Sequence, residues 1–509
     1  MKDRQPSRLR RWLKRGAFAL AVLSTLIAAV VVFENWRGNR AWHTYRAEQE
    51  AKGEVFDWRK LVPAPVPDDQ NFAQTPLLAK LTDYQYDPQR GEAVFADPEG
   101  KARLDGMFDW NRLLKNEGSW RKGILTDWPK VQESLRAATN SELPAVQALL
   151  ARPVGKPEDD VLFLLAQNKA ELAEIAAAAR RPYADFRVHY DEGLMALLPQ
   201  MAVLKNFSYA FRLRAQAELE AGRSDAALGD WQTGLALYES LRGDPVLIAL
   251  LVRIAMFEMS QQVVWEGLAR HRWSDAQLQV IGERLAHINP VADALYMMRG
   301  ERAFNLLALD QMHRPEAAGF PKGGAGEFPH FRAMPSGWVS QNKLNIARMY
   351  ERYLLGAFDT NRQRVDLALT HQYEREAEVA MSRTGPYTLM ARMLFPAISK
   401  AGLKVASAQM ALNLARVAVA LERHRLAEGK YPADLAALAP RFLAVLPGDL
   451  DDQPLRYQPQ PDGTFILYSL GSDLVDDQAR IGAPDGKFTT EEGDWVWKYP
   501  PPAAGAAQP

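Results

Sequence analysis

An uninterrupted apolar run near the N terminus constrains this chain more than any other feature. Gly16 to Phe33 is 18 residues long and contains no charged side chain. A helix of that length spans about 27 Å, which is close to the hydrocarbon thickness of a bilayer. Trp12 and Trp36 stand on either side of the run, where aromatic residues are enriched at membrane interfaces. The run predicts a transmembrane helix over residues 16–36.

The charges that flank this run are asymmetric and predict its orientation. One acid precedes it, Asp3, together with seven basic residues: Lys2, Arg4, Arg8, Arg10, Arg11, Lys14 and Arg15. The positive-inside rule places this end in the cytoplasm and the bulk of the chain outside it. A cleaved signal peptide is the alternative, but residues 33–36 lack the small residues that a cleavage site needs. We expect a retained single-pass anchor, with the lipid bilayer as its partner.

The amino-acid composition narrows the classes of protein to which this chain can belong. The chain has 509 residues, of which 47% are hydrophobic, enough to bury a sizeable core in two or three domains. Cysteine is absent, so the sequence offers neither a disulfide nor a cysteine for lipidation. The 62 basic and 62 acidic residues cancel, and no basic stripe for nucleic acid is predicted beyond the N-terminal cluster.

Hydrophobic periodicity and the spacing of Gly and Pro predict a mainly α fold with a defined order of segments. Residues 1–15 form a basic cytoplasmic tail, residues 16–36 the membrane helix, and residues 37–101 a juxtamembrane spacer with prolines at 63, 65 and 67. The remaining segments are a helical domain (102–312), a Gly/Pro-rich loop or linker (313–340), a helical segment (341–400), a small α+β module with an antiparallel sheet (401–499) and a disordered tail (500–509).

Two features of the helical domain carry local predictions. One helix is predicted from Pro157 to Arg181, with acids in its first turn and basic residues at its end. Residues 208–241 resemble one tetratricopeptide hairpin, in which a short turn containing Gly222 joins two helices. No second copy occurs at a 34-residue period, and an ordinary helical hairpin is the reading that we favour.

The most specific pattern lies in the C-terminal module. A helix over residues 401–428 ends at Gly429, a residue that commonly terminates helices, and Pro432 prevents its resumption. A short helix over residues 433–439 follows. Two apolar runs, 455–457 and 465–470, flank a Pro-Asp-Gly turn and predict a β-hairpin.

This order resembles the periplasmic domain of the major, G-type pseudopilins of type II secretion systems, over about 100 residues. The matching pieces are ALERHRLAEGKYP at 420–432, LAAL at 435–438, DLDDQPLRY at 449–457 and LYSLGSD at 467–473. The resemblance implies a long helix packed on a small antiparallel sheet, a location at the bacterial inner membrane, and a calcium-binding acidic loop after the second strand. Ala21 occupies the place of the glutamate in the pseudopilin N-terminal signal, so the polymerisation signal is incomplete.

The acidic loop supplies the only metal site that the sequence predicts. Asp473, Asp476 and Asp477 are the candidate calcium ligands, because calcium takes six to eight hard oxygen ligands, several of them from carboxylates. A solvated acidic loop is the alternative. Neither a His-Glu-x-x-His motif nor a Gly-x-Ser-x-Gly elbow occurs, and no catalytic or cofactor-binding residue is predicted. Glu374, Glu376 and Glu378 are interpreted as one solvated helix face.

These features favour a non-enzymatic scaffold or assembly protein outside the cytoplasm, with a protein partner in the envelope. The resemblance extends this expectation to secretion or pilus-like machinery. The runner-up is a membrane-tethered hydrolase acting on envelope polymers, which a buried carboxylate pair in a large cleft would favour. A third reading is a fibre component of a pseudopilus, which cleavage after Gly16 would support.

Overall fold

The computed structural model describes residues 8–87, 92–314, 329–382 and 385–500. Residues 1–7 of the predicted cytoplasmic tail, 315–328 of the predicted linker and 501–509 of the predicted tail lie outside these ranges. The α-helices are α1 Arg8–Ala51, α2 Pro98–Gly106, α3 Trp128–Arg136, α4 Pro144–Leu150, α5 Pro157–Ala166, α6 Lys169–Ala178, α7 Pro199–Glu220, α8 Ser224–Ser240, α9 Leu247–Ala269, α10 Asp275–Ala286, α11 Pro290–His313, α12 Pro329–Arg332, α13 Ser336–Tyr353, α14 Leu367–Ser382 and α15 Leu389–Glu428.

In the part of the chain that the structure describes, the strands form three small antiparallel sheets. They are β1 Tyr84–Asp87, β2 Glu92–Phe95, β3 Phe358–Asp359, β4 Arg364–Val365, β5 Arg456–Pro459, β6 Phe465–Ser469 and β7 Trp495–Lys498. The first four strands pair as β1–β2 and β3–β4, and the C-terminal sheet has the order β5-β6-β7. The predicted fold class is confirmed: a mainly α protein with a long apolar N-terminal helix and a small C-terminal antiparallel sheet.

Local signals in the sequence account for several helix ends. Ser274 and Gln277 form the reciprocal capping box at the start of α10. Gly429 ends α15 in the left-handed conformation, with a φ of 76°. The single helix predicted from Pro157 to Arg181 is wrong, because Asn168 leaves helical geometry (φ −116°, ψ 34°) and separates α5 from α6. Residues 208–241 form one helical hairpin from parts of α7 and α8, which turns at Gly222.

The two larger hydrophobic clusters among the described residues organise the body. The main core draws its buried residues from 72–298 and from 357–497, so the helical domain and the C-terminal module share it. The second core combines α1, α11, α13, α14 and α15 with Phe56. Because α11 and α15 each contribute buried residues to both clusters, these two helices tie the clusters together. The interval predicted as a spacer is packed at several points, where Phe56, Phe72 and Leu78 are buried.

The first helix changes environment halfway along its length. The apolar run from Gly16 to Phe33 is exposed, except for half-buried Val31. From Glu34 onward the same unbroken helix packs on the body, and Trp42 and Tyr45 are buried in the second core. Of the described helices, α1 and α9 are long and apolar enough to cross a membrane. Most of the apolar window of α9 is buried inside the protein, as expected of a core helix.

Helices α1 and α13 cross at two glycines. A Cβ atom on Gly38 would lie 2.2 Å from the carbonyl oxygen of Gly337, and one on Gly337 would lie 2.0 Å from that of Glu34. Real Cβ atoms do not approach oxygen so closely, so only glycine permits this separation of the two backbones. The small residues at this crossing fix how α1 meets the body.

Polar side chains of α1 complete the contact. The Asn35 amide oxygen accepts a hydrogen bond of 2.8 Å from the backbone N–H of Gly337, in the first turn of α13. That N–H has no partner within its own helix, so Asn35 serves as its cap from another element. Ser340 donates to the Asn39 amide oxygen at 2.7 Å, and Tyr387 donates to the Glu34 carboxylate at 2.8 Å. Since the partners of residues 35 and 39 are residues 337 and 340, the two helices run parallel.

Alanine substitution tests the glycine crossing. Gly38→Ala and Gly337→Ala are each expected to lower the free energy of unfolding by about 2 kcal/mol, because the added methyl group forces the helices apart. Gly229→Ala in α8 is the matched control, since its Cβ atom meets nothing within 4 Å. Its higher helix propensity should raise stability by about 0.5–1 kcal/mol. Equal effects in urea unfolding at all three positions would contradict the close crossing.

Candidate functional site in the cleft beside the C-terminal module

The C-terminal module docks on the helical domain through a short turn that precedes α3. In that turn, the Trp120 ring packs against Trp497 of β7, with ring centroids 5.5 Å apart. The Arg121 guanidinium lies over both the Trp120 ring, at 4.4 Å, and the Phe488 ring, at 4.7 Å. It also pairs with Glu258 of α9 and donates to Ser407 of α15 at 3.0 Å. This one buried arginine therefore joins α9, α15 and the loop before β7.

A cleft opens beside this junction. It consists of two adjoining cavities of about 550 Å³ each, which share Lys404 of α15 and Thr490 of the loop before β7. Side chains of both charges line it: the cations are Arg121, Arg212, Lys400 and Lys404, and the acids are Glu258, Glu374, Glu378, Asp473 and Glu491. The mixture suits a ligand with both charges, or a partner surface with alternating charge.

Glu374 is the acid in this cleft whose environment differs most from the sequence prediction. Its carboxyl is half-buried, and desolvation raises its pKa, with Glu378 and Glu491 adding to the rise and His371 opposing it. Glu374 is therefore less solvated than the prediction of one solvated face for residues 374, 376 and 378 implies. Glu376 follows the prediction better, because it accepts a hydrogen bond from Arg352 at 2.9 Å at the protein surface.

The three predicted calcium ligands lie in the loop after β6 and bond to different partners. Asp473 lines the cleft, and its carboxylate accepts from the backbone N–H of Val475 at 3.1 Å. Asp476 accepts from the Tyr468 hydroxyl at 3.2 Å and from the N–H of Gln478 at 2.9 Å. Asp477 pairs with Arg480 at 2.5 Å. The loop is ordered by these local contacts.

The loop is built around a fourth carboxylate, Asp494, which the sequence analysis missed. Its side chain is buried and accepts from the backbone N–H of Ala479 at 2.7 Å and of Asp477 at 3.4 Å. Burial raises the pKa of Asp494 to about 6, and the nearby Asp476 and Asp477 add to this rise. One sequence signal could have indicated Asp494: it ends the acidic run Glu491-Glu492-Gly493-Asp494, which directly precedes the two tryptophans of β7.

The structure does not gather these acids into a metal centre. Within residues 8–87, 92–314, 329–382 and 385–500, no group of three His, Cys, Asp or Glu side chains is placed to hold a metal ion. Asp477 is committed to Arg480, and Asp476 to Tyr468. Calcium binding by Asp473, Asp476 and Asp477 stays a prediction that derives from the sequence resemblance.

Comparisons with known proteins give this chain no relative. No model of a known family, no curated protein and no solved structure matches it. The chain can therefore be classified by its structure alone. The chain is a mainly helical protein whose N-terminal helix is apolar enough to span a membrane.

Asp494 makes the stability of the module depend on pH in a defined direction. Because its pKa is about 6 in the folded state and near 4 in the unfolded chain, the folded state binds more protons between these values. The free energy of unfolding should therefore fall as pH rises from 4 to 6, and the loss should be complete above 6. Asp494→Asn is expected to remove this component.

Urea unfolding of the wild type and Asp494→Asn at pH 4.5 and 7.5 measures this difference. Asp473→Asn is the control, because it removes an exposed carboxylate of the same loop. The urea midpoints of the wild type at the two pH values should differ by more than the corresponding midpoints of Asp494→Asn. A pH dependence unchanged in Asp494→Asn but altered in Asp473→Asn would contradict the assignment.

Proposed function

We propose that this protein is a single-pass membrane protein whose extracytoplasmic body acts as a scaffold or assembly factor in the cell envelope. The observation that carries the proposal is the continuity of α1. One helix passes from an exposed apolar stretch, residues 16–33, into a packed position against α13. An exposed apolar surface of this length is costly in water and is expected in a bilayer.

The way in which α1 joins the body suits this role. A flexible tether would let the body move freely, whereas a helix that continues into the second core holds the body at a fixed height and angle. Proteins that collect partners at a membrane benefit from such fixed geometry, because it limits the orientations that a complex must search. The mechanism that we propose is docking without covalent chemistry.

The C-terminal sheet offers one surface for docking. In the described part of the chain, β6 pairs on both sides, while β5 and β7 each pair with β6 alone. β5 is half-buried to exposed along its length, so an extended segment of a partner can add to it as another strand. The proposed link to secretion or pilus-like machinery rests on the resemblance of residues 420–473 to G-type pseudopilins.

Two truncations test the proposed anchor. Removing residues 1–33 is expected to release a soluble, folded body, because this cut keeps Glu34 and Asn35. Removing residues 1–36 takes away the hydrogen bonds of Glu34 to Tyr387 and of Asn35 to Gly337. The free energy of unfolding should then be about 1–2 kcal/mol lower than for the first truncation. Aggregation of both truncations in buffer would contradict a body that folds independently of its anchor.

In-cell cross-linking of the tagged full-length protein tests the scaffold. Repeated recovery of the same envelope proteins is expected, and recovery of secretion or pilus components would support the link that the resemblance suggests. The truncation that lacks residues 1–33, exported by a cleavable signal, is the control for contacts that require the anchor. Recovery of no partner above background would contradict the scaffold proposal.

One observation favours the hydrolase as a second candidate. Glu374 has a raised pKa inside a cleft, which is a property of general acids. If the cleft is catalytic, Glu374→Gln should abolish the release of soluble fragments from envelope polymers, whereas Glu376→Gln on the same helix should leave it unchanged. A wild-type protein that releases no fragments from any envelope polymer would exclude this candidate.

A further inference from the structure

The part of the cleft between α14 and α15 is lined by two pairs of oppositely charged side chains. Glu374 and Glu378 lie one turn apart on α14, and Lys400 and Lys404 lie one turn apart on α15. All four line the same cavity of about 550 Å³, and we call them the acid pair and the lysine pair. In the described part of the chain, none of the four forms a salt bridge. The cavity therefore contains charges of both signs that do not neutralise one another.

The packing of the two helices sets the gap between these pairs. A Cβ atom on Gly402 would lie 3.6 Å from the methyl carbon of Thr370, which is ordinary van der Waals contact. Thr370 stands one turn before Glu374, and Gly402 stands between Lys400 and Lys404. Because α14 and α15 already touch at this point, the helices cannot move closer to bring the pairs together.

The acid pair is held in an unfavourable environment. Desolvation raises the pKa of Glu374, and the like charges of Glu378 and Glu491 add to the rise, while His371 opposes it. Glu491 belongs to the loop before β7 and lines the same cavity, so the fold brings acids from two distant segments together. Such an arrangement costs stability and is expected where a ligand supplies the opposite charge.

Ser472 is a second and independent indication of a ligand. It lies in the loop after β6, is only 4% exposed, and lines the same cavity. Within the described residues, its hydroxyl group makes no hydrogen bond. Buried hydroxyl groups usually have a partner, so this one is available to a group that enters the cavity.

The cleft continues beyond the lysine pair and changes character there. At Lys404 and Thr490 the cavity adjoins a second one, whose walls include the apolar side chains of Ile254, Met259 and Phe488. Each cavity has the volume of an ordinary ligand pocket. A charged section followed by a partly apolar one suits an extended chain with both kinds of side chain better than it suits a compact molecule.

We propose that this cleft binds a short extended peptide segment of a partner protein, whose basic side chain meets the acid pair and whose acidic side chain meets the lysine pair. The inference rests on the proposed scaffold function and names the chemistry of its partner. A segment of one sign only would leave one of the two pairs unneutralised. An apolar side chain of the same segment occupies the section beyond Lys404.

Peptide binding to the full-length protein in a non-ionic detergent tests the proposal. The probes are fluorophore-labelled peptides with one lysine, one glutamate and one leucine, in both charge orders and separated by a variable number of alanines. The best of them is expected to bind about tenfold more tightly than its neutral version with glutamine at both charged positions, and added salt should remove the difference. No preference for any charged peptide, or tighter binding of glycerophosphoethanolamine as a zwitterionic lipid headgroup, would overturn the proposal.

Two double variants assign the charges of the peptide to their partners. Glu374→Gln with Glu378→Gln, and Lys400→Gln with Lys404→Gln, should each weaken binding of the best charged peptide about tenfold and leave the neutral peptide unaffected. A peptide whose lysine is replaced by glutamine should not respond to the loss of the acid pair, because the interaction is already absent. A full response of that peptide would overturn the assignment.

Glu376→Gln is the matched control. It removes a carboxylate from the same helix, but this carboxylate bonds to Arg352 at the protein surface and does not line the cavity. Peptide affinity should be unchanged. A loss equal to that of the acid-pair variant would show a general effect of charge and would overturn the proposal.

Two further measurements separate binding from folding and from the scaffold function. The urea midpoint of the acid-pair variant should equal or exceed that of the wild type, since like charges are removed; a clear fall would show that these charges support the fold and would overturn the proposal. In-cell cross-linking of both double variants should lose a partner that the wild type recovers. Unchanged recovery would overturn docking in the cleft and leave the scaffold intact, whereas peptide binding by a wild type that recovers no partner would support the cleft and contradict the scaffold.

Discussion

The close crossing of α1 and α13 at Gly38 and Gly337 is the contact on which the rest of the architecture depends. The two backbones approach so closely that a methyl group at either position would collide with a carbonyl group. Only this separation lets Asn35 reach the first turn of α13 and lets Trp42 and Tyr45 enter the second core. The crossing turns a long apolar helix, which alone would be a tether, into a structural part of the body. The orientation of everything beyond it follows from that geometry.

The helical domain and the C-terminal module are packed together as one unit. The segment that resembles a pseudopilin head shares the main core with the helical domain, rather than forming a module on a linker. Trp265 of α9 donates to the carbonyl of Lys498, and Trp497 packs on Trp120. α15 extends from the second core through the main core. A partner that binds the C-terminal sheet therefore binds a surface whose position relative to α1 is set by packed helices.

Local signals were readable from the sequence, whereas contacts between distant residues were not. The apolar run, the cap at Gly429 and the β5–β6 hairpin depend on neighbours within a few residues, and the pattern predicted each of them. β7 was missed because Trp495–Val496–Trp497 is buried throughout and lacks the alternation that marks a strand.

The contacts of Gly337 and the burial of Asp494 and Glu374 were missed for the same physical reason. Gly337 stands between Pro335-Ser336 and Trp338, where glycine ordinarily signals a break, and its role depends on a helix some 300 residues earlier. Asp494 and Glu374 look like ordinary surface acids in the sequence. Their raised pKa values come from burial that the fold imposes. Burial is a property of the assembled protein and leaves little trace in local composition.

The charges that line the cleft help to decide between docking and hydrolysis as the function of this protein. Arg121 is held by Glu258 and by two aromatic rings, so it mainly joins elements together and is poorly available to a ligand. Arg212 is likewise paired, with Glu117. A catalytic cleft concentrates groups whose charges are unsatisfied until substrate arrives, whereas these arginines are already neutralised by acids of the body. The arrangement is closer to that of a structural junction with a groove beside it, and this is the physical reason for placing docking ahead of hydrolysis.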